Sequence, residues 1–149
     1  MNLNAKPSEL AAVVGVIDPD ALGASTVTTG WVNMRNFGAV MAIVMAGTLG
    51  TSATLDAKLE QATSSGGAGA KDIDGKDITQ LTQAGTDSDK QVVINCRAEE
   101  LDVDNGFAYV RLSMTVATAT SDCGGLLLGL FPARGPASDF DAATVDEIV

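Results

Sequence analysis

Histidine is absent from this 149-residue sequence, and aromatic residues are few, with one Trp, one Tyr and four Phe. Histidine is the usual proton shuttle near neutral pH and the commonest metal ligand. No cluster of other polar groups replaces it, so we expect no enzyme, no catalytic residues, no metal site and no cofactor. What fills the chain is alternating apolar and small polar residues with 16 glycines. This composition is typical of a packing and assembly protein.

Basic residues are also scarce, with 9 Lys and Arg against 19 Asp and Glu, which gives a formal charge of −10. A surface of this sign repels phosphate backbones and anionic lipids. We therefore expect neither nucleic acid nor membrane as a partner. The charge either keeps the protein in solution or complements a basic surface on a protein partner.

Neither a secretory leader nor a long hydrophobic run is visible. Residues 1–6 lack the apolar region of a signal peptide, and the longest apolar run, residues 37–49, is shorter than the roughly 20 residues of a membrane-spanning helix. We expect a chain that is made in the cytoplasm and stays soluble. Cys96 and Cys123 form no CxxC motif, and in this setting free buried thiols are favoured over a disulfide.

Turn signals separate seven or eight apolar or alternating segments, and no segment has a convincing helical pattern. The predicted strands are residues 11–17, 25–29, 31–34, 37–47, 52–60, 91–101, 107–118 and 126–131, with a shorter extended passage at 71–82. This pattern predicts an all-β fold, an antiparallel β-sandwich of jelly-roll or Greek-key type with Gly-rich loops. Residues 1–149 form one domain, with an N-terminal arm at about 1–10 and an acidic C-terminal tail at about 134–149. The tail is either loosely held or reaches to a neighbour.

Three of these segments allow finer predictions. Residues 37–47 are apolar at both parities, which favours a strand covered on both faces, or one at a subunit contact, over a buried helix. Residues 52–60 alternate strictly, so Ala53, Leu55, Ala57 and Leu59 should share the inner face. The dipeptide Asn105-Gly106 favours a tight turn, so the strands at 91–101 and 107–118 should form a hairpin.

The candidate calcium-binding and phosphate-binding motifs lack the residue spacing that these sites require. In residues 72–77 and 102–106 the glycine occupies position 4 or 5 rather than position 6 of a calcium loop. The glycines of residues 66–69 are not followed by the Lys-Ser/Thr of a phosphate loop. Glu99 and Glu100 form a charged strand end with no feature of a hydrolase site, and Trp31 is a core or interface aromatic rather than a sugar platform.

Several short segments resemble small head proteins of tailed bacteriophages, of the capsid decoration or cement type. The segments are GTSATLDAKLEQAT at 50–63, GAKDI at 69–73, ITQLT at 78–82, WVNM at 31–34, Phe37 and QVVIN at 91–95. Together they lie within residues 25–118.

The resemblance implies a β-sandwich bound to the outside of a capsid in the virion, as a homotrimer at local threefold positions, bracing the major capsid protein. We place the oligomer contact at Trp31, Phe37, Met41, Ile43 and Met45, and the capsid contact on the N-terminal arm. The alternatives are a minor head or tail protein, a carbohydrate-binding β-sandwich and, least favoured, a small hydrolase. A carbohydrate-binding protein should expose several aromatic residues on one face.

Overall fold

The computed structural model describes residues 4–149, which form ten β-strands and only short helical turns. The strands are β1 (Ala11–Leu22), β2 (Ser25–Thr28), β3 (Val32–Asn33), β4 (Phe37–Ala46), β5 (Thr54–Ala62), β6 (Lys71–Asp77), β7 (Leu81–Thr82), β8 (Gln91–Arg97), β9 (Tyr109–Ala117) and β10 (Ser121–Pro132). The turns are α1 (Pro7–Leu10) and three 3₁₀ turns, at Ala98–Glu100, Val103–Asn105 and Ala137–Phe140. Within the described residues, no helix has the length and apolar character needed to cross a bilayer.

The strands form two antiparallel sheets that pack face to face. The four-stranded sheet has the order β1-β10-β4-β8, and the six-stranded sheet has the order β2-β9-β5-β6, with β3 beside β9 and β7 beside β5. If β2 and β3 are counted as one interrupted strand, and β6 and β7 as another, the sandwich has eight strands. Renumbered from one to eight along the chain, these strands lie in the orders 1-8-3-6 and 2-7-4-5. This is the jelly-roll arrangement. The predicted all-β sandwich is therefore confirmed, and of the two predicted types, jelly-roll and Greek-key, its strand order is that of the jelly-roll.

The core lies between the sheets and is built from the alternating positions of each strand. Leu55, Ala57 and Leu59 of β5 are at most 3% exposed, as the alternation predicted. Small residues bring the sheets close together. A Cβ atom at Gly125 of β10 would lie 2.9 Å from Leu112 Cδ2 of the opposite sheet, so glycine is needed there.

The apolar segment that begins at Phe37 is a strand and not a helix. β4 lies between β10 and β8 in the middle of the four-stranded sheet. Val40, Ala42 and Val44 are buried in the core, whereas the alternate residues are partly exposed on the outer side of the sheet. The apolar character at both parities therefore reflects two different environments.

The predicted hairpin between the strands at 91–101 and 107–118 is wrong. β8 pairs with β4 in the four-stranded sheet, whereas β9 pairs with β5 in the six-stranded sheet. The chain crosses between the sheets in two 3₁₀ turns, and Leu101 between them is buried. Gly106 has the positive φ that the sequence indicated, but it caps the second turn instead of closing a hairpin.

The beginning of the C-terminal tail is held against the edge of β1. The Ala142 N–H donates to the Val13 carbonyl, and the Val13 N–H donates to Asp141 Oδ1, both at 2.7 Å. Ala137 is fully buried. This stretch of the tail is therefore part of the sandwich. β1 itself is longer than predicted because a register shift between Ile17 and Asp20 accommodates Pro19.

Candidate functional site

A band of apolar side chains crosses the outer side of the four-stranded sheet, and β8 contributes Val93 to it, between the polar residues Gln91 and Asn95. Pairing places Ile43 directly between Leu126 and Val93, and Leu126 beside Val16, so one row of side chains crosses the whole sheet. We call this surface the apolar face; its residues are Val13, Val16, Met41, Ile43, Met45, Val93, Leu126 and Leu128. All are partly or largely exposed, and Met45 and Val93 reach 46% and 51%.

A shallow groove runs along part of the apolar face. It has a volume of about 160 Å³ and is lined by Val16, Ile43, Met45 and Leu126, with Gly124 and Gly125 contributing no side chains to its floor. Small-molecule sites usually measure about 300–1,000 Å³ and contain several placed polar groups. This groove has neither property, so its shape suits a protein surface better than a small ligand.

The structure brings three of the five predicted contact residues together. Met41, Ile43 and Met45 are alternate residues of β4 on the apolar face. Phe37 is 3% exposed and packs against Phe140 of the same chain, so it belongs to the core and not to a contact surface. Trp31 precedes β3, which belongs to the other sheet.

Trp31 is covered on one side by its own chain. The Arg111 guanidinium lies 4.5 Å from the centre of the indole ring, and Arg111 Nε donates to Glu60 Oε2 at 2.7 Å. Gly67, with a φ of +81°, approaches the ring so closely that a Cβ atom there would lie 2.6 Å from the indole nitrogen. One face of Trp31 is therefore already occupied by a cation.

The six-stranded sheet carries a polar depression near its β5–β6 edge. This acidic groove has a volume of about 470 Å³, and its charged lining residues are Asp56, Lys58, Asp72, Asp74 and Asp77. Lys58 Nζ lies 2.7 Å from Asp72 Oδ1, and this hydrogen bond is the largest cause of the raised pKa of Lys58. Among the described residues no group of three or more potential ligand side chains is arranged to hold a metal ion.

The thiols and the paired glutamates have the properties of structural groups. Cys96 and Cys123 are free and buried, as predicted, and burial raises the pKa of the Cys96 thiol to about 11. Glu100 accepts the Arg97 N–H and pairs with Lys76, and these contacts lower the pKa of its carboxyl. Such a carboxylate stays ionised and is a poor general acid. Glu99 is exposed and pairs with Arg97.

Sequence reasoning missed five of the eight residues of the apolar face. Val16, Leu126 and Val93 were counted only as strand residues, although they line the same row as Ile43. A signal was present in residues 126–131, which are apolar at both parities like β4. Two such strands in a two-layer sandwich leave an apolar outer surface, but their adjacency becomes visible only in the fold.

No protein-family model matches the sequence, and none of the curated proteins matches it significantly. Among solved structures the chain is similar to a chain of broad bean stain virus, with 10% identity and a TM-score of 0.49 over 91% of this chain and 94% of that chain. It is also similar to a chain of the cowpea mosaic virus empty virus-like particle, with 9% identity and a TM-score of 0.49 over 91% and 87%.

A third similar structure is the CBM22-1 xylan-binding domain of Paenibacillus barcinonensis Xyn10C, with 11% identity and a TM-score of 0.42 over 85% and 96% of the two chains. Chains from structures of viruses and of a virus-like particle are thus among the structures that this chain is similar to. At these identities the likeness is one of fold alone. Fold and surface together define a jelly-roll β-sandwich with one apolar and one acidic outer side.

Proposed function

We propose that this chain is a non-enzymatic structural protein of a tailed-phage virion, which binds the outside of the capsid and braces neighbouring capsid subunits. The observation that carries the proposal is the apolar face. Monomeric proteins rarely leave a continuous apolar surface open across a whole sheet, and such surfaces mark protein contacts. The partners are then the major capsid protein and further copies of this chain, arranged as a homotrimer.

The unequal chemistry of the two outer sides supports the location on the capsid exterior. The apolar face is suited to contact with protein, whereas the acidic groove with Asp56, Asp72, Asp74 and Asp77 lies on the other sheet. An acidic surface of a protein with a formal charge of −10 repels packaged DNA. Such a protein fits the outer surface of the particle with its acidic side toward solvent.

The resemblance of residues 25–118 to phage decoration proteins agrees with this arrangement. The resembling segments include residues 50–63, which contain β5, and residues 91–95 of β8. These segments build one strand in each sheet, so the resemblance extends to both layers of the sandwich.

The decisive experiment is the copy number of this chain in purified particles, measured by quantitative mass spectrometry relative to the major capsid protein. A ratio of one, or a simple fraction of it, supports an icosahedrally arrayed decoration protein. A few copies per particle would assign the chain to the portal, neck or tail instead. Absence from particles would reject the virion proposal.

Variants of the apolar face test whether that surface makes the contact. Ile43→Glu places a charge in the middle of the face, and we expect the chain to be lost from particles and to become a soluble monomer, as for Met41→Glu. Val103→Glu is the matched control because Val103 is 58% exposed but lies in a turn outside the face. If the Ile43→Glu chain keeps the oligomeric mass of the parent chain and is retained in particles, the apolar face does not make the contact.

Carbohydrate binding is the alternative from another class, and the acidic groove is the surface that favours it. Its carboxylates and the hydroxyls of Ser113 and Thr115 are groups that bind sugar hydroxyls. However, Phe131 is the only one of the six aromatic residues that is largely exposed. Binding on a glycan array that is lost in Asp72→Ala would support this alternative.

A further inference from the structure

We propose that two copies of this chain pair through the open edge of β8, antiparallel and with a twofold axis at Val93. Their four-stranded sheets then join into one continuous sheet. This contact goes beyond the proposed function, because it requires only two copies of the chain and no capsid. The two sheets have four edges, and three of them are protected against pairing with another chain.

Exposed strand edges pair with other chains unless they are covered, charged, short or bulged. The edge of β1 is covered by the C-terminal segment through the bonds between Val13 and residues 141–142. The edge of β2 is only four residues long. The edge of β6 has charged residues at five of seven positions, a glycine with positive φ at Gly75 and an irregular register.

The edge of β8 has none of these protections. Its seven residues pair with β4 without a register shift, from Met45–Gln91 to Ala39–Arg97. The strand contains no proline or glycine, and its only charged residue, Arg97, stands at its end. β8 is also contiguous with the apolar face, because Val93 lies beside Ile43.

The hydrogen-bond pattern shows which backbone groups face outward. The Ala46 N–H donates to the Lys90 carbonyl at 2.9 Å. Because bonded and non-bonded pairs alternate along an antiparallel ladder, residues 92, 94 and 96 bond to β4, and Gln91, Val93 and Asn95 point their backbone groups toward the open edge. The Arg97 N–H is taken by Glu100, so the open stretch ends there.

The side chains of this edge are self-complementary when the axis passes through Val93. Val93 then lies opposite Val93 of the second copy, and Gln91 lies opposite Asn95. These are an apolar pair and two amide pairs, and matched side chains that face each other in this way stabilise an antiparallel ladder. An axis at Asn95 would instead place the charged Arg97 opposite Val93. This mismatch favours the register at Val93.

This register forms three hydrogen-bonded pairs, which amount to roughly six backbone hydrogen bonds between the copies. It also places the two apolar faces side by side, so that Ile43 and Val93 of both copies form one apolar strip. The contact thus satisfies the open backbone groups and reduces exposed apolar surface at the same time.

Cysteine cross-linking tests the contact and its register. Residues of a bonded antiparallel pair have Cα atoms about 5.5 Å apart, within the range that a disulfide spans. When the Val93→Cys variant is oxidised with diamide, it should form a disulfide-linked dimer of twice the 15.1 kDa chain mass. Diamide is the oxidant and takes up the hydrogens of the two thiols. The native Cys96 and Cys123 are buried and serve as an internal background.

Val103→Cys and Phe131→Cys are the matched controls, because both positions are more exposed than Val93 but lie outside β8. We expect at least tenfold less dimer from them. A mixture of Gln91→Cys and Asn95→Cys should cross-link, whereas each alone should not. Equal cross-linking of Val93→Cys and the controls would overturn the contact, and strong cross-linking of Asn95→Cys alone would overturn the register.

Val93→Lys provides a test without a cross-linker. A lysine on the open edge should remove the twofold contact, so that the mass of the purified chain in light scattering falls by half, from a dimer to a monomer or from paired trimers to a single trimer. Val103→Lys should leave the mass unchanged. An unchanged mass of Val93→Lys would overturn the proposal. These measurements use the purified chain alone. A negative result for the β8 contact therefore says nothing about the copy number in particles, and absence of the chain from particles leaves the β8 contact testable.

Discussion

The rings of Phe37 and Phe140 meet edge to face, with their centroids 5.4 Å apart and their planes inclined by 72°. Phe37 is the first residue of the central strand β4, and Phe140 is the last residue of the 3₁₀ turn in the C-terminal segment. The contact joins the C-terminal segment to a central strand of the four-stranded sheet. It makes the C-terminal segment a structural element that stabilises the sandwich rather than a loose extension.

We expect Phe140→Ala to lower the free energy of unfolding by about 1–3 kcal/mol, since a half-buried ring loses its aromatic partner and part of its apolar burial. Urea denaturation followed by circular dichroism measures the change. Ile148→Ala is the matched control because Ile148 is 52% exposed, and it should change stability by less than about 0.5 kcal/mol. Equal stability of both variants would show that the C-terminal segment does not support the sandwich.

Gly129 supplies the space that the Phe37 ring occupies. A Cβ atom at Gly129 would lie 2.6 Å from two atoms of that ring. We expect Gly129→Ala to destabilise the fold by about 1–3 kcal/mol through overpacking.

The control for this variant is Gly23→Ala, because no atom lies within 4 Å of the Cβ position at Gly23. Combining Gly129→Ala with Phe37→Leu should cost less than the sum of the single changes, since the smaller side chain relieves the clash. Strict additivity in this double-mutant cycle would contradict the overpacking explanation.

The fold class could be predicted because the alternation of β5 and the turn signals are local properties of the sequence. Leu55, Ala57 and Leu59 lie on the inner side as their spacing indicated. The partner of β8 could not be predicted, because Asn105-Gly106 favours positive φ in both a hairpin and a capped turn. The choice depends on the burial of Leu101 between the sheets, which is a tertiary contact.

The candidate surface was predicted in part for a similar reason. Met41, Ile43 and Met45 follow from the apolar character of β4 at both parities, and all three lie on the apolar face. Phe37 was assigned to the same surface because the alternation of β4 does not reveal that Phe140, far along the chain, packs against it. Trp31 is separated from β4 because β3 joins the other sheet.

The crossing between the sheets should make stability depend on pH in the acidic range. The hydrogen bond from Lys71 to Asp102, followed by that from Asn105, lowers the pKa of the Asp102 carboxyl. The backbone N–H of Arg97, followed by Lys76, lowers the pKa of Glu100. Because both pKa values are lower in the folded chain, this stability is present above the ordinary values of 3.8 and 4.5 and is lost as the pH falls through the folded values.

Thermal unfolding between pH 6 and pH 2.5 measures this effect. Asp102→Asn and Glu100→Gln should have lower melting temperatures than the parent chain at pH 6, and the difference should shrink toward pH 2.5. Glu99→Gln removes the same charge from a side chain that is 74% exposed, and serves as the control. If all three variants follow the parent at a constant offset, the crossing does not contribute to the pH dependence.

The two thiols should be almost unreactive in the folded chain. The Cys96 and Cys123 side chains are buried in the four-stranded sheet, and burial raises the pKa of both, to about 11 for Cys96. Since the thiolate is the reactive species, we expect labelling by a disulfide reagent at pH 8 to be at least about a hundredfold slower than in urea, where both thiols react at once. Phe131→Cys, at a position that is 72% exposed, is the positive control and should add one rapidly labelled thiol to the folded protein. Rapid labelling of the parent chain would mean that the strands around Cys96 open readily, and that the sheet edge at β8 is not the rigid surface that pairing of two copies requires.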